Sequence, residues 1–139
     1  MISAVSRLLS LTVALIALGA VPALAAAGKD RLAGDCVHSQ VKPSDIVLAC
    51  ADDNTEVGAV KWIHFGGKQA SGTGRYGFNN CTPNCVSGTF HYYPVNIVAA
   101  KPKRCQDGYD DYQSLTITFT RKPPKGFSAH LKTPLYCPL

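Results

Sequence analysis

Charge is scarce in this sequence. Asp, Glu, Lys and Arg make up 17% of the 139 residues, below the roughly one quarter usual for soluble domains. With 46% hydrophobic residues, that balance excludes an intrinsically disordered chain. A helical hydrophobic period is missing throughout residues 28–139, which argues against a helical bundle or an alternating α/β fold. No apolar run reaches the ~20 residues that a bilayer span requires. There is no internal repeat, linker or low-complexity segment, so residues 28–139 read as one domain. The length excludes a two-domain cofactor enzyme, and with it a kinase or dehydrogenase core.

Catalytic and ligand-binding signatures are also missing. The nucleophile elbow G-x-S-x-G is absent; Ser71, in Ala70-Ser71-Gly72, lacks its flanking glycine. H-E-x-x-H is absent, and His64 and His91 fall on different predicted strands. The acidic turn Asp52-Asp53-Asn54-Thr55-Glu56 lacks the glycine of an EF-hand loop, and Asp107–Asp111 is a second acidic turn. Both read as solvated turns, and no cofactor or metal is expected. Acidic blocks (Asp52, Asp53, Glu56; Asp107, Asp110, Asp111) alternate with basic ones (Lys101, Lys103, Arg104; Arg121, Lys122, Lys125). No face of single sign results, and no nucleic-acid partner is expected.

What is present begins with a leader. Arg7 precedes the uncharged apolar stretch Leu8–Leu18, and Gly19, Pro22 and Ala23-Leu24-Ala25-Ala26-Ala27 follow. This is the layout of a secretory signal over residues 1–27, cleaved after Ala25 or Ala27. Its loss lowers the formal charge of +5 by one, that of Arg7. Cys36 follows a charged Asp35, which spoils a lipoprotein box, so no stable membrane anchor is expected.

All six cysteines (Cys36, Cys50, Cys81, Cys85, Cys105, Cys137) follow the leader. An even number in a small exported domain reads as disulfides. Cys81-Thr82-Pro83-Asn84-Cys85 is the tightest candidate, because Pro83 and Asn84 favour a turn. The same two cysteines can alternatively reach outward, to Cys50 and Cys105. Cys36 and Cys137, near the two ends, are natural partners for each other. Zinc would need a second close Cys or His pair, which the spacing lacks.

Period-two alternation pervades the domain. Val60, Trp62 and His64 share one face of the segment Val57–Phe65, and Lys61, Ile63 and Phe65 the other. Leu115, Ile117 and Phe119 face inward from Tyr112–Thr120, the clearest strand. Thr89–Ala99 reads as a strand in which Pro94 marks an edge or bulge, and Phe127–Leu131 as a final strand. Gly28–Pro43 reads as irregular and tied down by Cys36. The expected fold is all-β, a small antiparallel β-sandwich or barrel of six to seven strands stapled by disulfides.

Several motifs recur in order: Cys50-Ala51-Asp52-Asp53-Asn54, Trp62, Cys81-Thr82-Pro83-Asn84-Cys85, Tyr93-Pro94-Val95 and Pro102-x-x-Cys105. In this order the chain resembles a group of small exported actinobacterial proteins of unknown function, from about Ile46 to Phe119. Where that group often carries a second tryptophan, this chain has Phe65. The resemblance implies export and a β-rich, disulfide-stapled fold, and it brings no catalytic residue, cofactor or substrate.

Tyr92 and Tyr93 are adjacent on a strand and cannot both face inward. One of them, with His91 or Arg75, is a candidate ligand surface. The loop Thr82-Pro83-Asn84 is the other, presented rigidly by its flanking cysteines. The expected function is a secreted, monomeric binding or inhibitory module acting on an extracellular protein or envelope polymer. A small hydrolase using Asp or His side chains, and a passive envelope protein, are the alternatives.

Overall fold

The computed structural model describes residues 30–138. The leader expected over residues 1–27 lies outside them. The fold is all-β, as the alternation predicts. The described residues form eight strands: β1 (Asp30–Ala33), β2 (Ser39–Gln40), β3 (Ile46–Val47), β4 (Thr55–His64), β5 (Gln69–Asn79), β6 (Phe90–Arg104), β7 (Asp110–Phe119) and β8 (His130–Pro134). They form one sheet in the order β2-β1-β7-β6-β5-β4-β3, with β8 also pairing with β7. The sheet curls into a half-barrel. A single curled sheet thus stands where a sandwich or barrel is expected, and its one parallel pair, β1 with β7, makes it mixed.

The strand β7 organises this arrangement. One side pairs with β6 along its length. The other is shared: β1 lies beside Asp110 and Asp111, and β8 beside Ser114–Thr118. Curling then brings the sheet's far edges together, where the Val47 amide donates to the Gly34 carbonyl at 2.8 Å. The Cys36–Cys50 disulfide staples this seam, with Cα atoms 5.8 Å apart.

That seam explains why the expected Cys36–Cys137 pairing does not form. Cys36 follows β1 and meets the segment after β3. Cys137 follows β8, which runs antiparallel to β7 and delivers the chain end to the β6–β7 turn. There Cys137 pairs with Cys105, Cα to Cα 5.6 Å. The third bridge is Cys81–Cys85, so the outward alternative is not the one realised.

Period-two alternation fills the concave side. Leu115, Ile117 and Phe119 are buried, as are Val95, Ile97 and Ala99 opposite them. In β4 the period breaks at Ala59, whose φ is 52°, and the register shifts between Gly58 and Lys61. Val57 and Val60, three residues apart, are therefore both buried. A second shift between Trp62 and His64 moves Phe65 against the core and leaves His64 exposed, the reverse of the simple alternation. Pro94 lies in an interior strand. Its carbonyl accepts from the Thr120 amide at 3.1 Å, so its missing N–H faces the same side, where β7 has already ended.

Two other segments depart from expectation. Gly28–Pro43 is not wholly irregular: β1 buries Leu32 and Ala33, a pairing made by β7 and invisible to local pattern. The last strand begins at His130 rather than Phe127. Phe127 sits in the preceding loop and packs on Tyr76 and Phe78, ring centroids 6.0 and 5.5 Å apart.

Aromatic side chains close both ends of the half-barrel. At one end Trp62, Phe65 and Tyr112 meet edge to face, and the Trp62 Nε1 donates to the Pro43 carbonyl at 2.9 Å. At the other, Tyr76, Phe78, Tyr93, Phe119 and Phe127 interlock beneath the β5–β6 loop.

Candidate functional site

The β5–β6 loop spans residues 80–89. Three asparagines order it, each exploiting the side-chain amide's ability to donate and accept near its own backbone. Asn79 Oδ1 accepts from the Cys81 amide at 3.0 Å, and its Nδ2 donates to the Cys85 carbonyl at 2.7 Å. The same Nδ2 donates to Asn54 Oδ1 at 3.1 Å, tying the loop to the segment entering β4. Asn80 Oδ1 accepts from the amides of Thr82 and Thr89, at 3.1 and 3.0 Å. Asn84 Oδ1 accepts from the Ser87 amide at 2.9 Å. Gly88 leaves room for this network: a Cβ there would run into Asn79 Oδ1.

The result is a loop ordered from within and bare on the outside. Thr82, Pro83, Asn84, Cys85, Val86 and Ser87 are all exposed. Val86 is 99% exposed, the most exposed of the large hydrophobic residues among those described. Cys85–Ser87 forms a turn, so the tip is a knob and not an extended strand.

The other sequence-derived candidates separate by face. Tyr92 points outward, 44% exposed. Tyr93 points inward and packs against the core, stacking with Phe78 at 6.1 Å. Of this adjacent pair, Tyr92 is therefore the surface member. His91 shares the inner side, 5.8 Å from the Phe78 ring. Its Nε2 lies 3.3 Å from Asn80 Nδ2, so it supports the loop base.

Tyr92 is held in a layered arrangement. Gly77 is its direct partner on β5, and a Cβ at Gly77 would lie 2.7 Å from the Tyr92 ring. The missing side chain lets the ring cross β5, and its hydroxyl donates to Glu56 Oε1 at 3.2 Å. Along the strand, the Phe90 ring stacks 6.0 Å away at 22°, and the Arg75 guanidinium lies 4.6 Å from the ring centroid. Burial of the hydroxyl, then the bond to Glu56, raises its pKa above the ordinary tyrosine value. Beside it is a shallow hollow of ≈ 250 Å³ lined by Asp45, Glu56, Gly58, Ala59, Arg75 and Tyr92.

The two acidic turns and the two strand histidines noted in the sequence do not come together. Asp52 and Asp53 precede Thr55, at the end of β4 that pairs with Phe78. Asp110 and Asp111 start β7 opposite Lys103 and Arg104, at the far end of the sheet. The two acidic turns are thus separated by the length of the strands. His64 pairs with Ser71 and His91 with Phe78, at opposite ends of β5.

Individually these acids hold turns. Asp52 Oδ1 accepts from the Asn54 amide at 3.2 Å, and hydrogen bonding from Asn54 lowers its pKa. Asp107 Oδ1 accepts from the Tyr109 amide at 3.1 Å, and Asp110 pairs with Arg104 at 3.0 Å. Among the described residues, no group of three or more His, Cys, Asp or Glu side chains is placed to hold a metal ion.

Val86 is the residue that motif reading misses. A sequence signal for it exists: between Arg75 and Lys101 there is no Asp, Glu, Lys or Arg. This charge-free stretch contains the whole exposed loop together with Phe90 and Tyr92. Comparison with protein-family models, with curated proteins and with solved structures returns no match.

Proposed function

We propose that this protein is a secreted, disulfide-stabilised binding module that engages an extracellular macromolecule through its β5–β6 loop. The observation that carries the reading is the loop itself. Three asparagines and one disulfide order its backbone while Val86 at the tip stays fully exposed. A loop ordered before contact loses little conformational entropy on binding, so more of the contact energy appears as affinity. The turn at Cys85–Ser87 favours docking as a knob over adding a strand to a partner's sheet.

Export is supported by the leader-like residues 1–27, by three bridges in a small domain, and by the resemblance to small exported actinobacterial proteins. The module acts as a monomer and without a cofactor. The test replaces Thr82, Pro83 and Asn84 together with other turn-forming residues, keeping Cys81 and Cys85. Binding to envelope material of the producing species is then measured by co-sedimentation. Weakened binding with an unchanged melting temperature supports the reading, and unchanged binding removes the loop from it.

A further inference from the structure

We infer that the outer face of the sheet, between β4 and β8, is a docking surface for a polysaccharide that carries acidic groups. This surface is separate from the β5–β6 loop, and the loop reading stands or falls without it.

The strand register builds the face. Lys61, Thr73, Asn96, Thr118 and His130 are successive cross-strand partners from β4 to β8. Ser71, Val98, Thr116 and Lys132 form a second row beside them. The chain neighbours Ala70, Val95, Ile97, Leu115 and Ile117 are buried, so both rows point away from the core. At ~4.8 Å per strand, the first row runs about 19 Å across the sheet. Next to the second row, a hollow of ≈ 300 Å³ is lined by Lys101, Gln113, Ser114, Lys132, Thr133 and Pro134.

Folding sorts the charges that alternate along the chain. No Asp or Glu lies between Glu56 and Asp107, or after Asp111. Strands β5, β6 and β8, and β7 from Tyr112 onward, therefore hold no acid. The acids at the borders of the face are engaged. Glu56 accepts from the Tyr92 hydroxyl, and Asp45 from the Ser44 hydroxyl and the Ala59 amide. Both line the hollow beside Arg75, which leaves Arg75 outside the cationic surface. At the opposite border Asp110 pairs with Arg104, and Asp111 is buried. The two rows and their hollow thus contain Lys61, Lys101 and Lys132, all exposed, and no acid. A face of single sign results, where the alternating blocks of the sequence predict none.

Its composition selects the partner. Lysines at both margins complement an anion repeated along a chain. Between them Ser71, Thr73, Asn96, Thr116 and Thr118 can each donate and accept, which suits sugar hydroxyls. Single-stranded nucleic acid stacks its bases on aromatic rings, and neither row holds Phe, Tyr or Trp. Protein interfaces are enriched in aromatics and Arg and depleted in Lys and Ser, the reverse of this face. Anionic membranes are met by clusters of about four to eight cations, more than these rows supply.

The experiment measures the affinity of the purified protein for polygalacturonate and for a phosphorylated mannan, at low and at molar salt. Dextran, polyglutamate and poly(dT) of matched length serve as comparisons. Lys61→Gln is combined with Lys132→Gln. The control combines Arg121→Gln with Lys122→Gln, which removes the same charge from the β7–β8 loop. The expected result is that at least one acidic polysaccharide binds about tenfold more tightly than any comparison polymer. Molar salt and the paired lysine change should each weaken this binding about tenfold or more. The control should stay within about threefold of the native protein, and the joint replacement of Thr82, Pro83 and Asn84 should leave the affinity unchanged. Both lysines are exposed, so the melting temperature should not move.

Equal losses in the lysine pair and the control would reduce the binding to net charge and overturn the face. Tighter binding of polyglutamate or poly(dT) would overturn the polysaccharide, and indifference to salt would overturn the role of the lysines. Loss on replacing the loop residues would move the polymer to the loop. Binding to neither acidic polysaccharide would defeat the inference and leave the loop reading untouched.

Discussion

Asn79 spans the mouth of the disulfide loop, its side-chain nitrogen 2.7 Å from the carbonyl oxygen of Cys85. Its side-chain oxygen meanwhile takes the Cys81 amide. One amide side chain thus satisfies backbone groups on both cysteines of the bridge. Asn79→Ala removes both bonds, one exposed and one part-buried, and should lower stability by about 0.5–1.5 kcal/mol. Gly88→Ala should do comparable damage, because its Cβ would displace Asn79 Oδ1. Chemical denaturation of both variants, with amide exchange at Cys81 and Thr82, checks this; native exchange rates in either would contradict it.

The three disulfides should rank by the loops they close. Sequence separations are 4 for Cys81–Cys85, 14 for Cys36–Cys50 and 32 for Cys105–Cys137. Chain-entropy arguments then assign about 2, 3 and 4 kcal/mol to their removal as paired Cys→Ser changes. The bridge that matters least for stability should matter most for binding. Melting temperatures of the three double variants test the ranking.

Two carboxylates should respond to pH in opposite directions. Asp35 accepts from the His38 ring at 2.9 Å and from the His38 and Val37 amides. The His38 ring bond first, then these amides, lower its pKa to about 2. A depressed folded pKa gives stability that is present above the ordinary value of 3.8 and is lost as pH falls toward about 2.

Asp111 is fully buried beside β2. Desolvation pushes its pKa up, against the opposing bond from Ser39 Oγ at 2.6 Å. Its folded form therefore holds a proton more tightly than the unfolded chain does. The cost of its charge is present above the raised value and is relieved as pH falls through it. Carboxyl-carbon NMR titration should show Asp111 titrating well before Asp35 as acid is added. The reverse order would contradict the assignment.

Much of the sheet was legible in the sequence because one face of each long strand is buried. Leu115, Ile117 and Phe119 announce β7 through period two alone. The departures share a cause in long-range contact. Nothing near Ala59 signals its positive φ, so the fate of His64 and Phe65 could not be read. The strand β1 forms because β7 offers it an edge, and the Cys36–Cys50 pairing follows from that seam. In the candidate site, the Cys81–Cys85 turn was legible from local chemistry, and so was the need for one of Tyr92 and Tyr93 to face outward, but not which of the two. Val86 was not legible, because the charge-free stretch around it singles out no one residue, and its exposure among the described residues emerges only on folding.

Gly77 tests the surface arrangement separately. Gly77→Ala places a methyl group against the Tyr92 ring and should break the bond to Glu56. The Tyr92 hydroxyl should then titrate nearer the ordinary tyrosine value of 10.0. An ultraviolet pH titration against Tyr92→Phe isolates this hydroxyl; an unchanged profile would contradict the crossing geometry. The stability change should stay near ~1 kcal/mol, since an exposed ring can move aside.

The central claim is that the loop is ordered before it meets a partner. Backbone nitrogen relaxation of the free protein in solution tests it most directly. If the loop is ordered in the free protein, the amides of Thr82, Val86, Ser87 and Thr89 show order parameters near those of the sheet, about 0.85. Values below about 0.6 at these positions, with the β5 and β6 amides rigid, would mean a flexible loop that orders only on contact.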